Sequence, residues 1–330
     1  MRQPNYGGGP LTNSQITTLR NWGLLREAIE RCGAQVLADR ADEIHYKDQR
    51  SAMYVRDAGI VLDVGEGARF YCSREPGSAT RLEKRHVAKW LKEKNLAMPV
   101  HMHGSMDGGD TVYDPSRRML FVGVKNYDYQ RDASDGYLDT IIAADKSSRT
   151  TASKAYIHRF RCAQPTRHWL KDAAFQYHDD TAKPIRVVRL FVPDHWALEA
   201  YHLDGIFNVL PSGQAVWCPE MLSHAARQLI EKHIPAADRY PIGRDDARHC
   251  ATNFITVRNH VITPYAPPAL KETFTQWGYR VVDPQALGLA PGSWHFGPGA
   301  SVRCATLKVT PDYGCPPQAR SGSLATQAVR

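Results

Sequence analysis

One order of elements recurs along this chain: two short extended runs joined by a tight turn, then a helix, then another strand. Thr111–Tyr113 and Met119–Val124 read as paired strands across a turn at Asp114-Pro115-Ser116. Phe207–Leu210 and Gln214–Trp217 pair across Pro211-Ser212-Gly213, with a helix over about Glu220–His233 behind them. Phe254–Val257 and Val261–Pro264 pair across Arg258-Asn259-His260. A helix over Pro268–Trp277, stopped by Gly278, and a strand Tyr279–Val282 come next. Nearer the start, Leu19, Trp22, Leu25 and Ile29 share one stripe of a helix within Gln15–Ala34, and a short strand Gln35–Leu37 follows. Met53–Val55 and Gly59–Asp63 are extended runs flanking Arg56-Asp57-Ala58. Thr80-Arg81-Leu82-Glu83 has the form of a capping box opening a helix with Val87, Trp90 and Leu91 on one face, and Met98–Met102 is the strand after it. Such a unit cannot bury its apolar face alone and must stack on its neighbours. The repeat therefore predicts an α/β fold, with one closed domain over 1–310 whose loops at one end meet at a shared centre. Residues 311–330, rich in Pro, Gly, Ser and Ala, read as a loosely held tail.

The balance of 42% hydrophobic and 23% charged residues over 330 positions is that of a globular protein. No run of 18 apolar residues predicts a membrane span, and Met1–Gly9 lacks the apolar core of a secretion signal. Seven cysteines are an odd number, and no Cys-x-x-Cys pair occurs. That argues against a disulfide framework or structural zinc and for a reducing, cytoplasmic setting, with no metal or cofactor expected. Cys72, Cys162, Cys218, Cys250 and Cys315 read as packing residues, and His195, His249 and His295 as packing or surface residues. The net charge is +8, and no acidic residue follows Asp145 in the run Lys146, Arg149, Lys154, Arg159, Arg161, Arg167, Lys171. Without a nucleic-acid motif, this run reads as a solvated basic face.

Tyr201–Leu210 sets a histidine and an aspartate two apart in an apolar run, so a strand there would turn His202 and Asp204 to one face. Their desolvation needs a compensating partner. Four stretches stand at turns after or inside the strand pairs: Arg56–Gly59, Asp107–Asp110, His202–Asp204 and Gly297–Cys304. Together they supply a thiol, an imidazole and several carboxylates, the inventory for nucleophilic attack on a cationic carbon. Asp57 and Asp204 are suited to grip the N–H groups of a planar guanidinium. A Cys304 thiolate would attack its carbon. His202 would protonate the departing amine and later activate water, with Asp107 orienting the imidazole.

Arg-Asp-Ala-Gly, Asp-Gly-Gly-Asp, His-Leu-Asp-Gly-Ile-Phe and a Gly-rich turn ending Arg-Cys-Ala-Thr-Leu occur here in order. In this the chain, over about 15–310, resembles the guanidine-modifying (pentein) superfamily of arginine deiminases, dimethylarginine dimethylaminohydrolases and amidinotransferases. The resemblance implies a five-bladed α/β propeller of ββαβ repeats around a central site. It implies Cys304 as nucleophile, His202 as acid/base, Asp107 as its partner, and Asp57 and Asp204 as ligands of the guanidinium. Family members pass from a strand like Phe121-Val122-Gly123 almost directly into Ser-x-Arg-Thr. Here an insertion at about 126–148 precedes Ser147-Ser148-Arg149-Thr150, so Arg149 or Arg131 is the candidate for binding a substrate carboxylate, Arg149 being preferred. The expected activity is cysteine-dependent hydrolysis of arginine or an arginine derivative through a covalent thiouronium. Amidino transfer to an amine is the alternative, and a silent binding protein using 146–171 a remote one. The expected partner is a small guanidine compound, with neither membrane nor nucleic acid, and a homodimer is left open.

Overall fold

The computed structural model describes residues 13–37, 55–63, 68–74, 80–103, 108–124, 186–192, 202–296 and 301–309. The insertion at 126–148, the basic run at 146–171 and the tail at 311–330 lie outside the described residues.

Among the described residues there are four three-stranded sheets built to one plan. The first holds β1 (Ile60–Asp63), β2 (Ala68–Arg74) and β3 (Met98–His103). The second holds β4 (Thr111–Asp114), β5 (Met119–Val124) and β6 (Arg186–Phe191). The third holds β7 (Phe207–Val209), β8 (Ala215–Trp217) and β9 (Arg239–Pro241), and the fourth β10 (Ile255–Val257), β11 (His260–Ile262) and β12 (Arg280–Val282). In each, the first two strands are antiparallel and the third runs parallel to the second. A parallel neighbour needs a crossover, and in the first, third and fourth sheets a helix supplies it: α2 (Thr80–Glu93), α3 (His224–His233) and α5 (Pro268–Gln276). α1 (Asn13–Arg31) precedes the first sheet, and the short α4 (Arg244–Arg248) precedes the fourth.

Local chemistry sets the ends of these elements. Asp114 accepts hydrogen bonds from the Ser116 hydroxyl at 2.7 Å and the Arg117 N–H at 3.1 Å, which tightens the β4–β5 turn. Ser223 caps α3 by accepting from the Ala226 N–H at 3.1 Å. Gly278, with φ +84°, ends α5 in the left-handed conformation, and the Tyr279 N–H returns to the Phe274 carbonyl. Arg117 joins two sheets: its guanidinium meets Asp114 at 2.9 Å, Asp238 at 3.0 Å and the Gly213 carbonyl at 2.6 Å.

The largest core runs between sheets. Phe121 and Val188 of the second pack with Phe207 and Val209 of the third and with Phe254, Val261 and Phe274 of the fourth and its helix. The Phe121 and Phe207 rings meet edge to face at 4.9 Å. A second cluster packs Leu25 and Ile29 of α1 on Val257, Ile262, Trp294, Val302 and Ala305. A third joins Phe70, Cys72 and Leu91 of the first sheet and its helix, and Leu307 and Val309 pack against it. The segment 301–309 therefore touches both the α1 cluster and the first sheet.

Several local expectations change. Gln35–Leu37 is not a strand, and Val55 opens a 3-10 turn (Val55–Ala58) instead of closing an extended run. α3 begins at His224 because Pro219–Met221 forms its own 3-10 turn. β2, β6 and β9 have no counterpart in the sequence reading: all three carry arginines that blur the apolar pattern. Among the described residues no helix is long and apolar enough to cross a membrane.

Candidate active site

In each sheet the first strand is entered through a polar turn. Asp57 stands three residues before Ile60, Asp110 directly before Thr111, and Asp204 three before Phe207. Of the three 3-10 turns involved, Gly108–Asp110 packs against both Val55–Ala58 and Leu203–Gly205. The turn Ser301–Ala305 presents Cys304, which is buried, beside Asn253 of the turn before β10.

His202 and Asp204 are not on one strand face, which corrects the sequence reading. His202 is extended, but Leu203–Gly205 forms a 3-10 turn, and the strand begins only at Phe207. A tertiary bond explains the turn: the Leu203 N–H donates to the buried Asp110 Oδ1 at 3.2 Å, while the Ile206 N–H returns to the Leu203 carbonyl. Two glycines permit this approach. A Cβ on Gly123 would lie 2.9 Å from Leu203 Cβ, and one on Gly109 would lie 2.5 Å from His202 Nδ1.

His202 Nδ1 stands 3.5 Å from Asp57 Oδ1. Asp204 Oδ2 stands 3.5 Å from Arg303 Nε, and the Thr252 hydroxyl donates to the Asp204 carbonyl at 3.0 Å. Arg303 Nη1 donates to Asn208 Oδ1 at 2.9 Å, and Asn208 Nδ2 donates to the carbonyls of Thr252 and Phe254 at 2.8 and 2.9 Å. Burial pushes the Cys304 thiol well above its ordinary range, and the negative charges of Asp204 and Asp57 push the same way. Hydrogen bonds from the Ser301 backbone and the Asn253 side chain oppose the shift. The geometry thus collects a thiol, an imidazole and two carboxylates in a buried space. Asp107, immediately before Gly108, and Arg149 and Arg131 lie outside the described residues. Among the described residues no cluster of three or more His, Cys, Asp or Glu is arranged to hold a metal ion.

No family model matches the chain. The N-terminal domain of ArgZ, an arginine dihydrolase from the cyanobacterial ornithine-ammonia cycle, solved with substrate, is similar over 94% of this chain and 93% of that one. The identity is 21% and the TM-score 0.62. A dimethylarginine dimethylaminohydrolase adduct is similar over 89% and 91%, at 14% identity and TM-score 0.55. The chain has the pentein fold. In sequence, it is 31% identical over 110 residues to the bifunctional arginine dihydrolase/ornithine cyclodeaminase AgrE of Nostoc sp.. That match takes in 33% of this chain but only 15% of the relative's length.

Within this pentein fold the sequence reading passed over Asn208, Asn253 and Arg303. Asparagine in a strand or turn carries no charge pattern to flag it. The repeat itself held the signal, since Asn253 stands two residues before β10, where the other sheets carry their polar turns.

Proposed function

We propose that this protein is a cysteine-dependent hydrolase of the guanidinium group of arginine or an arginine derivative. One observation carries the reading: a buried thiol, Cys304, shares its site with the His202 imidazole and two carboxylates, Asp204 and Asp57, whose charges with burial push the thiol toward its neutral form. A pocket of that charge is poor for a free thiolate and good for a cation. When a guanidinium enters, it offsets both carboxylates and brings a positive charge against the sulfur, so the thiol ionises with its electrophile in place. Cys304 Sγ, its proton passed to His202, attacks the guanidinium carbon, and the C–N bond breaks as His202 gives that proton to the departing nitrogen, leaving an S-alkylthiouronium. Water, deprotonated by the same imidazole, adds to that carbon, and the thiol leaves. Asp57 sits beside His202, and by the resemblance Asp107 supports the same imidazole. The likeness in fold to arginine dihydrolases, one of them solved with a covalently held reaction intermediate, supports this reading over amidino transfer. We assign the fifth unit of a five-bladed propeller to α1 and the Cys304 segment, which pack in one cluster.

The test is product analysis by mass after incubation with arginine, methylated arginines, agmatine and guanidinoacetate, and with arginine plus amines. Release of ammonia with a ureido product or ornithine is expected. An amidinated amine would show transfer instead, and no turnover of any guanidine would remove the reading.

Two further results follow. Asp204→Asn should raise KM by on the order of 10- to 100-fold, because one charged acceptor of the guanidinium is lost. It should also speed alkylation of Cys304 in the free enzyme at neutral pH, because one of the charges holding the thiol neutral is gone. Opposite movement of the two readouts separates this from general damage, and parallel loss would mean that Asp204 only supports the fold. We also propose that Arg149 pairs with the substrate carboxylate. Arg149→Ala should then raise KM for arginine and leave agmatine, which has no carboxylate, unaffected. Equal loss on both substrates would make Arg149 structural.

A further inference from the structure

The first three sheets bring their entry turns together at the site, and the fourth brings Ala251-Thr252-Asn253-Phe254. Thr252 and Asn253 are fully buried. Both polar ends of the Asn253 side chain are spent on the nucleophile's own segment. Nδ2 donates to Cys304 Sγ at 3.3 Å, and Oδ1 accepts from the Arg303 backbone N–H at 2.9 Å. The amide is thus clamped across two consecutive residues, with its orientation dictated by the N–H it accepts.

The charges around the sulfur make such a donor necessary. Asp204 and Asp57 both disfavour a thiolate. His202 faces Asp57, and the Arg303 guanidinium faces Asp204 and Asn208, so its charge is shared with other partners. Cys250, three residues before Asn253, has its own thiol pushed up to about 11 by burial and Asp204. A lysine or a second arginine on the sulfur would stabilise a thiolate but repel an incoming guanidinium. A neutral amide N–H stabilises the anion without that cost.

We propose that Asn253 is a catalytic residue of this site, the fixed neutral donor that holds the Cys304 sulfur in line and stabilises it when it ionises. The inference rests on the hydrolase reading only for naming Cys304 as the attacking group. An amide that donates to sulfur strengthens its bond as the thiol loses its proton, so its contribution appears in the ionised state and not before.

The experiment measures ionisation of Cys304 directly, as the rate of its alkylation by iodoacetamide across pH, followed by peptide mass. Asn253→Asp keeps the shape and the acceptor for the Arg303 N–H but replaces the donor with a carboxylate oxygen. Alkylation at neutral pH should slow about ten- to a hundredfold, with the whole profile displaced to higher pH. Asn253→Ala should move it in the same direction by less. Folding of each variant is checked by its thermal midpoint, and a folded variant with the wild-type profile overturns the proposal. Should neither variant fold, wild-type protein carrying isotope-labelled asparagine decides the matter. The Asn253 side-chain amide signal should titrate with the alkylation midpoint and cease to do so in Cys304→Ser, and a flat signal overturns the proposal. Alkylation needs no guanidine substrate. A displaced profile beside a silent substrate panel would therefore keep Asn253 as the donor that stabilises the Cys304 thiolate and sink the hydrolase reading, whereas turnover beside an undisplaced profile would keep the hydrolase reading and overturn the role of Asn253.

Discussion

Cys304→Ser is expected to abolish turnover, by on the order of a thousandfold or more, with the thermal midpoint nearly unchanged. The substitution is close to isosteric at a buried position, and the serine hydroxyl can still accept the Asn253 amide N–H. What it removes is reactivity. A hydroxyl ionises far less readily than a thiol, and two neighbouring carboxylates disfavour the alkoxide further. Substrate should still bind, since Asp204 and Asp57 are untouched, so KM or a direct binding constant should stay near the wild-type value. Mass spectrometry of wild-type protein quenched during turnover should find an adduct on the peptide containing Cys304, absent from the variant. Retention of more than about one per cent of activity would show that another group attacks.

Gly109→Ala is expected to lower kcat by about a hundredfold while leaving the fold intact. The new methyl would lie 2.5 Å from His202 Nδ1 and 2.7 Å from Cγ, closer than any real contact. The atoms it meets belong to a buried ring, not to the free end of a flexible chain, so the imidazole must turn or shift. A displacement of about 1 Å of an acid/base group costs on the order of a hundredfold in rate, and overpacking of this kind costs about 1–3 kcal/mol of stability. Gly205, beside Asp204, is the control. A Cβ there meets nothing within 4 Å, so Gly205→Ala should change little. Near-normal kcat in Gly109→Ala would mean that the ring position is not critical. A large loss in Gly205→Ala would mean that the turn itself, and not the contact with His202, is sensitive.

The repeat was legible in the chain because strand pairing and helix amphipathicity are written in local periodicity. The hairpins β4–β5, β7–β8 and β10–β11 and the helices α1, α2 and α5 fall close to where the apolar pattern sets them. The exceptions have identifiable causes. Val55 joins a 3-10 turn that packs on Gly108–Asp110, and His202–Asp204 is bent out of a strand by the Asp110 carboxylate 93 positions away in sequence. No window of local sequence contains that acceptor.

By itself, then, the sequence determined the repeating unit, the order of its turns and the chemical types they carry: a thiol, an imidazole and acidic groups in strong clusters with glycine. These are local quantities, set by backbone sterics and by the burial preference of each residue. Tertiary structure alone decided which partner each group meets. It put Asp57 beside His202, set Arg303 against Asp204 and Asn208, and turned the Asn253 amide onto Cys304. The ionisation of the thiol depends on those meetings, because charges and donors act over a few ångströms of space whatever their separation along the chain.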